Sequence, residues 1–247
     1  MDIRQLVIVA LKRDEIVEKL CNLFEIKVAY YDPGIIHFGL ENALLPIGNT
    51  FLEVISPVED NTTAGRFLDR RGGDGGYMVI IQVDDFNFSK KAVQNASIDI
   101  VFESEDPNAR AIHLHPKQLG GAILSLDSMD PPESWKWAGD NWKEKVNTTL
   151  VESIAGVQVQ SSDPLEMKRK WQSVLSINTI DIIDTKPIIN LDRTEIEFTE
   201  DSDGRGNGVS AFKIKVKDKE EIQKRAKEMG LLINNEIEVG GVKFLLS

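Results

Sequence analysis

The chain has a single cysteine, Cys21, among its 247 residues. One thiol cannot close an internal disulfide, and it excludes any metal site built from several cysteines. Basic residues are also in short supply. The 29 lysines and arginines stand against 40 aspartates and glutamates, a formal net charge of −11. A field of that sign repels phosphate backbones and anionic lipid, so nucleic acid and membranes are set aside as partners. No apolar run approaches the roughly 18 residues that span a bilayer. The N-terminus, "MDIRQLVIVALKRDE", reaches charge too early for a secretory signal and lacks a small-residue cleavage site. A cytoplasmic protein, monomeric or homodimeric, is the expectation. The one dense basic cluster, "MKRKW" from Met167 to Trp171, reads as the solvated face of a helix.

What the chain does have is a repeated plan: an apolar strand, an acidic or Asp-Pro turn, an amphipathic helix, then further strands. In the first copy a strand over about Gln5 to Leu11 precedes a helix capped by Asp14. Ile16, Val17, Leu20, Leu23 and Phe24 then share one face at the 3.6-residue period. "KVAYY", "IIHFGLEN" and "TFLEVIS" are expected to supply its remaining strands. The second copy starts at "GGYMVIIQVDDFNF", where Asp84 and Asp85 precede a helix, and continues through "ARAIHLHP" and "GGAILSLD". The third places Asp163 as N-cap and Pro164 at the first helical position, where proline is favoured. In the fourth, Gly230 stops the helix and Gly240-Gly241 turn a closing hairpin.

Four such units, with "FLEVISP" and "GRFLDRRGGDGGYMVIIQVDD" among their segments, resemble the glyoxalase/bleomycin-resistance/dioxygenase superfamily, the vicinal oxygen chelate fold. "HPKQLGGAILSL" also looks like the corresponding segment of methylmalonyl-CoA epimerases. The resemblance implies an α+β fold of tandem βαβββ modules forming cupped, curved mixed sheets with helices on the outside. Residues 1–135 would form one glyoxalase-like domain of two modules, and residues 145–247 a second, shortened one. The N-terminal cup would then hold a small-molecule ligand.

In metal-dependent relatives each module offers one ligand early in its first strand and a carboxylate in its last. The resemblance carries these positions onto Gln5 and Glu53, then Met78 and Ser125. Gln5 and Glu53 are oxygen donors suited to a divalent cation, which leaves room for zinc, nickel, iron or manganese. Met78 is a soft thioether and Ser125 a neutral hydroxyl, so the metal site is expected to be degenerate. An iron-dioxygenase triad would need histidines where Gln5 and Met78 stand. The matching positions near Gly156, Glu197, Ala211 and Leu245 in the C-terminal half are emptier still.

His113 and His115, two apart on an expected strand, share a face and are candidate ligand contacts. His37 reads as a hydrogen-bonded sheet histidine. The glycines of "RRGGDGG" precede a strand rather than a helix, which argues for a linker instead of a phosphate cradle. Trp135, Trp137 and Trp142 read as an aromatic strap between the halves.

Glu53 is the residue that does not belong in its strand. With Phe51 and Ile55 it should face the cup, while Leu52 and Val54 face the helices. Two functions follow. One is a protein that binds a small oxygen-rich molecule through Gln5, Phe51, Met78, His113, His115 and Ser125, as bleomycin-resistance proteins sequester a ligand. The other is a lyase or isomerase with Glu53 as general base and a divalent metal, or His113 and His115, as electrophile.

Overall fold

The computed structural model describes residues 1–177 and 187–247. In the first module β1 (Asp2–Val9) leads into α1 (Arg13–Phe24), and the chain returns through β2 (Leu40–Ile47) and β3 (Thr50–Pro57). After a short helix α2 (Thr63–Arg71), the second module runs β4 (Gly75–Gln82), α3 (Phe86–Asn95), β5 (Ile100–Glu103), β6 (Ala109–Leu114), α4 (Pro116–Leu119) and β7 (Ile123–Met129). β1 pairs in parallel with β3 and antiparallel with β4, while β4 pairs in parallel with β7. The spatial order is therefore β2-β3-β1-β4-β7-β6-β5, a sheet with the two module-opening strands at its centre.

The C-terminal half repeats that order. It comprises β8 (Val151–Ser161), α5 (Pro164–Leu175), β9 (Ile188–Asn190), β10 (Glu195–Glu200), β11 (Gly208–Val216), α6 (Lys219–Glu228), β12 (Leu232–Ile233), β13 (Glu236–Val239) and β14 (Val242–Leu246). These pair as β9-β10-β8-β11-β14-β13-β12. Its fourth module keeps as many strands as the second, so the shortening expected there lies in strand length rather than strand number.

Alternation along the strands sorts the apolar residues onto two faces. Leu6, Ile8, Leu52 and Val54 join the helix-facing core with Leu20, Leu23 and Phe24 of α1. Val7, Val9, Phe51 and Ile55 lie on the opposite, concave face. The helix-facing core runs through both halves and includes Trp171, Phe198, Phe212 and Phe244. α1 packs on α6 and α3 on α5 across the same boundary. The sheets also touch at one bridge, Val209 to Gly76. A Cβ on Gly76 would come within 2.5 Å of the Val209 side chain, which explains a glycine at that point of "RRGGDGG".

Several local readings change. "KVAYY" is not a strand; only Tyr30 bridges to Leu44. "PGIIHF" is a 3-10 helix with Asp32 at its N-cap, so His37 is not in a sheet. Asp14 lies in the first turn of α1, whose N-cap is Lys12 without a side-chain cap. Asp85, Asp163 and Asp218 do cap α3, α5 and α6, accepting from backbone amides at 2.9 Å. α5 buries Met167, Lys168 and Trp171, so "MKRKW" is only partly a solvated face.

Candidate functional site

The concave face of the N-terminal sheet encloses a cavity of about 730 Å³, within the roughly 300–1,000 Å³ of small-molecule sites. Strand alternation brings Gln5 of β1, Asn42 of β2 and Glu53 of β3 to this face. Glu53 is 7% exposed. Its Oε2 accepts from Gln5 Nε2 and its Oε1 from Asn42 Nδ2, both at 2.7 Å. Gln5 Oε1 in turn accepts from the indole Nε1 of Trp135 at 2.8 Å. Asn42 Oδ1 accepts from the backbone N–H of Asp32 at 2.8 Å. Burial drives the Glu53 pKa up to about 7, against the pull of the Asn42 and Gln5 hydrogen bonds, and the charge of Asp32 adds to the rise.

A second carboxylate faces the same cavity. Asp127 of β7 is 1% exposed. It accepts from the hydroxyl of Ser125 and, at 2.7 Å, from Trp137 Nε1. Burial raises its pKa to about 7 despite those donors, with the charge of Glu53 adding to the rise. Among the described residues neither carboxylate has a cationic partner, so both are desolvated without a compensating charge. Burial also lowers His113 to about 4 and raises the phenol of Tyr77 to about 12. Both are neutral at physiological pH.

The sheet register relates the four modules. Gln5 lies opposite Phe51 across β1 and β3, and Met78 opposite Ile123 across β4 and β7. Glu53 and Ser125 therefore occupy equivalent places, each two residues past the partner. The same rule puts Glu197 with Gly156, and Leu245 with Ala211. Glu197 has the opposite electrostatics to Glu53. Partial burial works against its charge, yet Lys213 at 2.6 Å and Gln158 at 2.8 Å hold its pKa below the usual range.

Gln5, Glu53, Met78 and His113 all line the cavity. Three of the sequence candidates do not. Phe51 is buried beneath the strap, stacked on Trp135 at 6.1 Å and edge-on to Trp142 at 4.9 Å. Ser125 is fully buried behind Asp127. His115 lies past the end of β6, where its Nδ1 accepts from Lys117 N at 3.2 Å. The strand stops one residue before it, so the expected shared face with His113 is lost. Sequence reasoning missed Asn42, Asp127 and the polar roles of Trp135 and Trp137. Asp127 was within reach, since it follows Ser125 by two residues and must share its face.

The implied divalent metal does not fit these side chains. The Gln5 oxygen is taken by Trp135, Ser125 is fully buried and does not line the cavity, and Met78 offers only a thioether. Among the described residues no group of three or more His, Cys, Asp or Glu is arranged to hold a metal ion.

Cupped sheets built from paired modules, with a largely apolar cavity carrying a few polar groups on the concave side, define a class of small-molecule-binding fold. No family model matches the sequence. The mitochondrial methylmalonyl-CoA epimerase of Bos taurus is 27% identical over 92 residues, 36% of this chain and 53% of that protein. The Homo sapiens enzyme is 26% identical over 94 residues, 36% of this chain and 52% of that protein. The chain thus spans about half the length of the curated relatives it matches. A mutant of 4-hydroxymandelate synthase from Streptomyces coelicolor superposes with a TM-score of 0.68 at 12% identity, covering 94% of this chain and 75% of that one. The chain has the vicinal oxygen chelate fold of the glyoxalase-like superfamily, to which the epimerases and the synthase belong.

Proposed function

We propose that the N-terminal cup binds a small oxygen-rich molecule and exchanges a proton with it through Glu53 and Asp127. The observation that carries this reading is two buried carboxylates, each raised to about 7, on one cavity. A carboxyl group poised near the working pH can both take and return a proton. Ionised Glu53 is held in place by two donors, which suits the base, and Asp127, raised as far, is the second group able to hold the proton. The epimerases among the relatives support an isomerase-type reaction, because epimerisation removes and returns a proton at one centre.

The second reading is sequestration without turnover. The four-part lock around Glu53, from Trp135 through Gln5 and from Asp32 through Asn42, favours it, because it fixes the carboxylate as a binding group. Incubation in deuterated water with a panel of small carbonyl compounds separates the two. Deuterium entering next to a carbonyl, and lost in Glu53→Ala, supports proton exchange. Binding without any exchange across the panel leaves sequestration, and neither binding nor exchange removes both.

A further inference from the structure

We infer that the cup selects a ligand with a cationic nitrogen head group, and that it disfavours anions such as free carboxylates or acyl-CoA thioesters. The inference rests on the cup being the binding site and concerns what that site admits. It stands on the character of the lining. Two carboxylates, Glu53 and Asp127, face the interior, and three more, Asp32, Glu103 and Glu105, ring the mouth. Among the described residues only Glu103 of these forms an ion pair, with Lys90 at 2.6 Å. No lysine or arginine lines the cavity among the described residues. Arg4 is buried against the rings of Phe51, Trp135 and Trp142 and does not line the cavity.

Aromatic rings complete the pattern. Phe38 meets Phe102 edge-on at 5.3 Å, and Phe102 lies 4.6 Å from the ring of His113, which burial keeps neutral. π-faces beside carboxylates attract a cation through the ring quadrupole as well as through charge. An acyl-CoA brings several negative charges and would meet no lysine or arginine among the described residues of the lining. The likeness to epimerases therefore extends to the fold and not to the charge of the ligand. Both interior carboxylates sit near neutrality when the cup is empty, and a bound cation would draw off their protons. Affinity for a cation should rise as pH increases through neutrality; affinity for an anion should fall. Asp32, Glu103, Glu105, His37, Tyr77 and His113 are the other titratable groups on the cavity, and burial keeps the Tyr77 phenol neutral. Burial keeps His113 neutral across this range.

The test titrates the full chain with three probes that share one scaffold: phenethylamine, phenethyl alcohol and hydrocinnamate. Methyl signals of Met78 and Ile123 report on the cavity. The amine is expected to bind about tenfold or more tighter than the carboxylate, with the alcohol between them, as charge sign dictates in a low-dielectric site. Its affinity should increase above neutrality and weaken several-fold in Asp127→Asn. Equal or tighter binding of hydrocinnamate, or amine binding that ignores pH, would overturn the inference while leaving the cup as the site. Cavity signals unmoved by all three probes would overturn the inference and the cup reading together.

Discussion

The indole Nε1 of Trp135 donates to Oε1 of Gln5 at 2.8 Å, across 130 residues of chain. That bond decides which end of the Gln5 amide meets Glu53. With Oε1 taken, Nε2 must point at the carboxylate, and it does so at 2.7 Å. Asn42 is fixed in the same sense, its Oδ1 held by the Asp32 backbone and its Nδ2 turned to Glu53. Glu53 therefore sits between two donors that cannot reverse, in a place built for a group that accepts at both oxygens.

Removing the clamp should be measurable. Trp135→Phe keeps an aromatic ring against Phe51 but strands the buried Gln5 oxygen. The expected loss is about 1–3 kcal/mol, the usual penalty for a buried acceptor left without a donor. Urea denaturation reads it directly. An unchanged midpoint would mean that Gln5 is not held by Trp135.

Asp127 offers a clean test of buried charge. Its raised pKa of about 7, against an ordinary 3.8, means that the folded protein binds a proton which the unfolded chain releases. Its favourable contribution is complete below the ordinary value and is lost as pH rises through about 7. Asp127→Asn can be accommodated, because the amide oxygen can accept from Trp137 while its NH₂ donates to Ser125. Ser125 can then give its own proton to the Ile112 carbonyl, now 3.3 Å away. The variant should be more stable than the parent by about 1–3 kcal/mol above neutrality and little changed in acid. Melting curves across pH decide it, and a stability gap that does not narrow towards acid would refute the assignment.

Much of this was legible in the chain. The repeat, the helix cap at Asp163 and the two faces of "FLEVIS" follow from periodicity and local chemistry, which sequence reports directly, whereas the cap read at Asp14 falls inside the first turn of α1. Glu53 was conspicuous because a carboxylate interrupts an apolar strand. The partners that decide its behaviour were not legible. Asn42 reaches it only after β2 pairs with β3, and Trp135 reaches its neighbour Gln5 only after the strap folds over the sheet, contacts that no local pattern encodes. His115 was misplaced for a similar reason: Pro116 opens a helix there and ends the strand alternation on which its facing depended.

Metal content follows from the donor set. Purified protein should carry zinc, nickel, iron and manganese far below one ion per chain, because the Met78 thioether, the engaged Gln5 oxygen and a Ser125 buried away from the cavity cannot complete a coordination sphere. Elemental analysis of the parent and of Gln5→Ala should give the same low values. One tightly held ion that disappears in Gln5→Ala would require the Gln5 amide to turn away from Trp135.

The lock around Glu53 makes its amide variant an unusual one. Glu53→Gln preserves shape and removes charge, which at most buried acids relieves the desolvation cost. Here the new NH₂ must face Gln5 Nε2 or Asn42 Nδ2, and both are pinned as donors. A protonated Glu53 escapes this conflict, because its hydroxyl oxygen still accepts while the proton points into the cavity. Glu53→Gln should therefore destabilise the protein by about 1–3 kcal/mol, opposite in sign to Asp127→Asn. Trp135→Phe releases Gln5, whose amide can then reverse so that its oxygen receives the new NH₂. In the double variant Glu53→Gln, Trp135→Phe the two penalties should not add, and a coupling of about 1 kcal/mol or more should favour the pair. A double-mutant cycle by urea denaturation measures that coupling. Strict additivity would show that Gln5 does not transmit the orientation of Trp135 to Glu53.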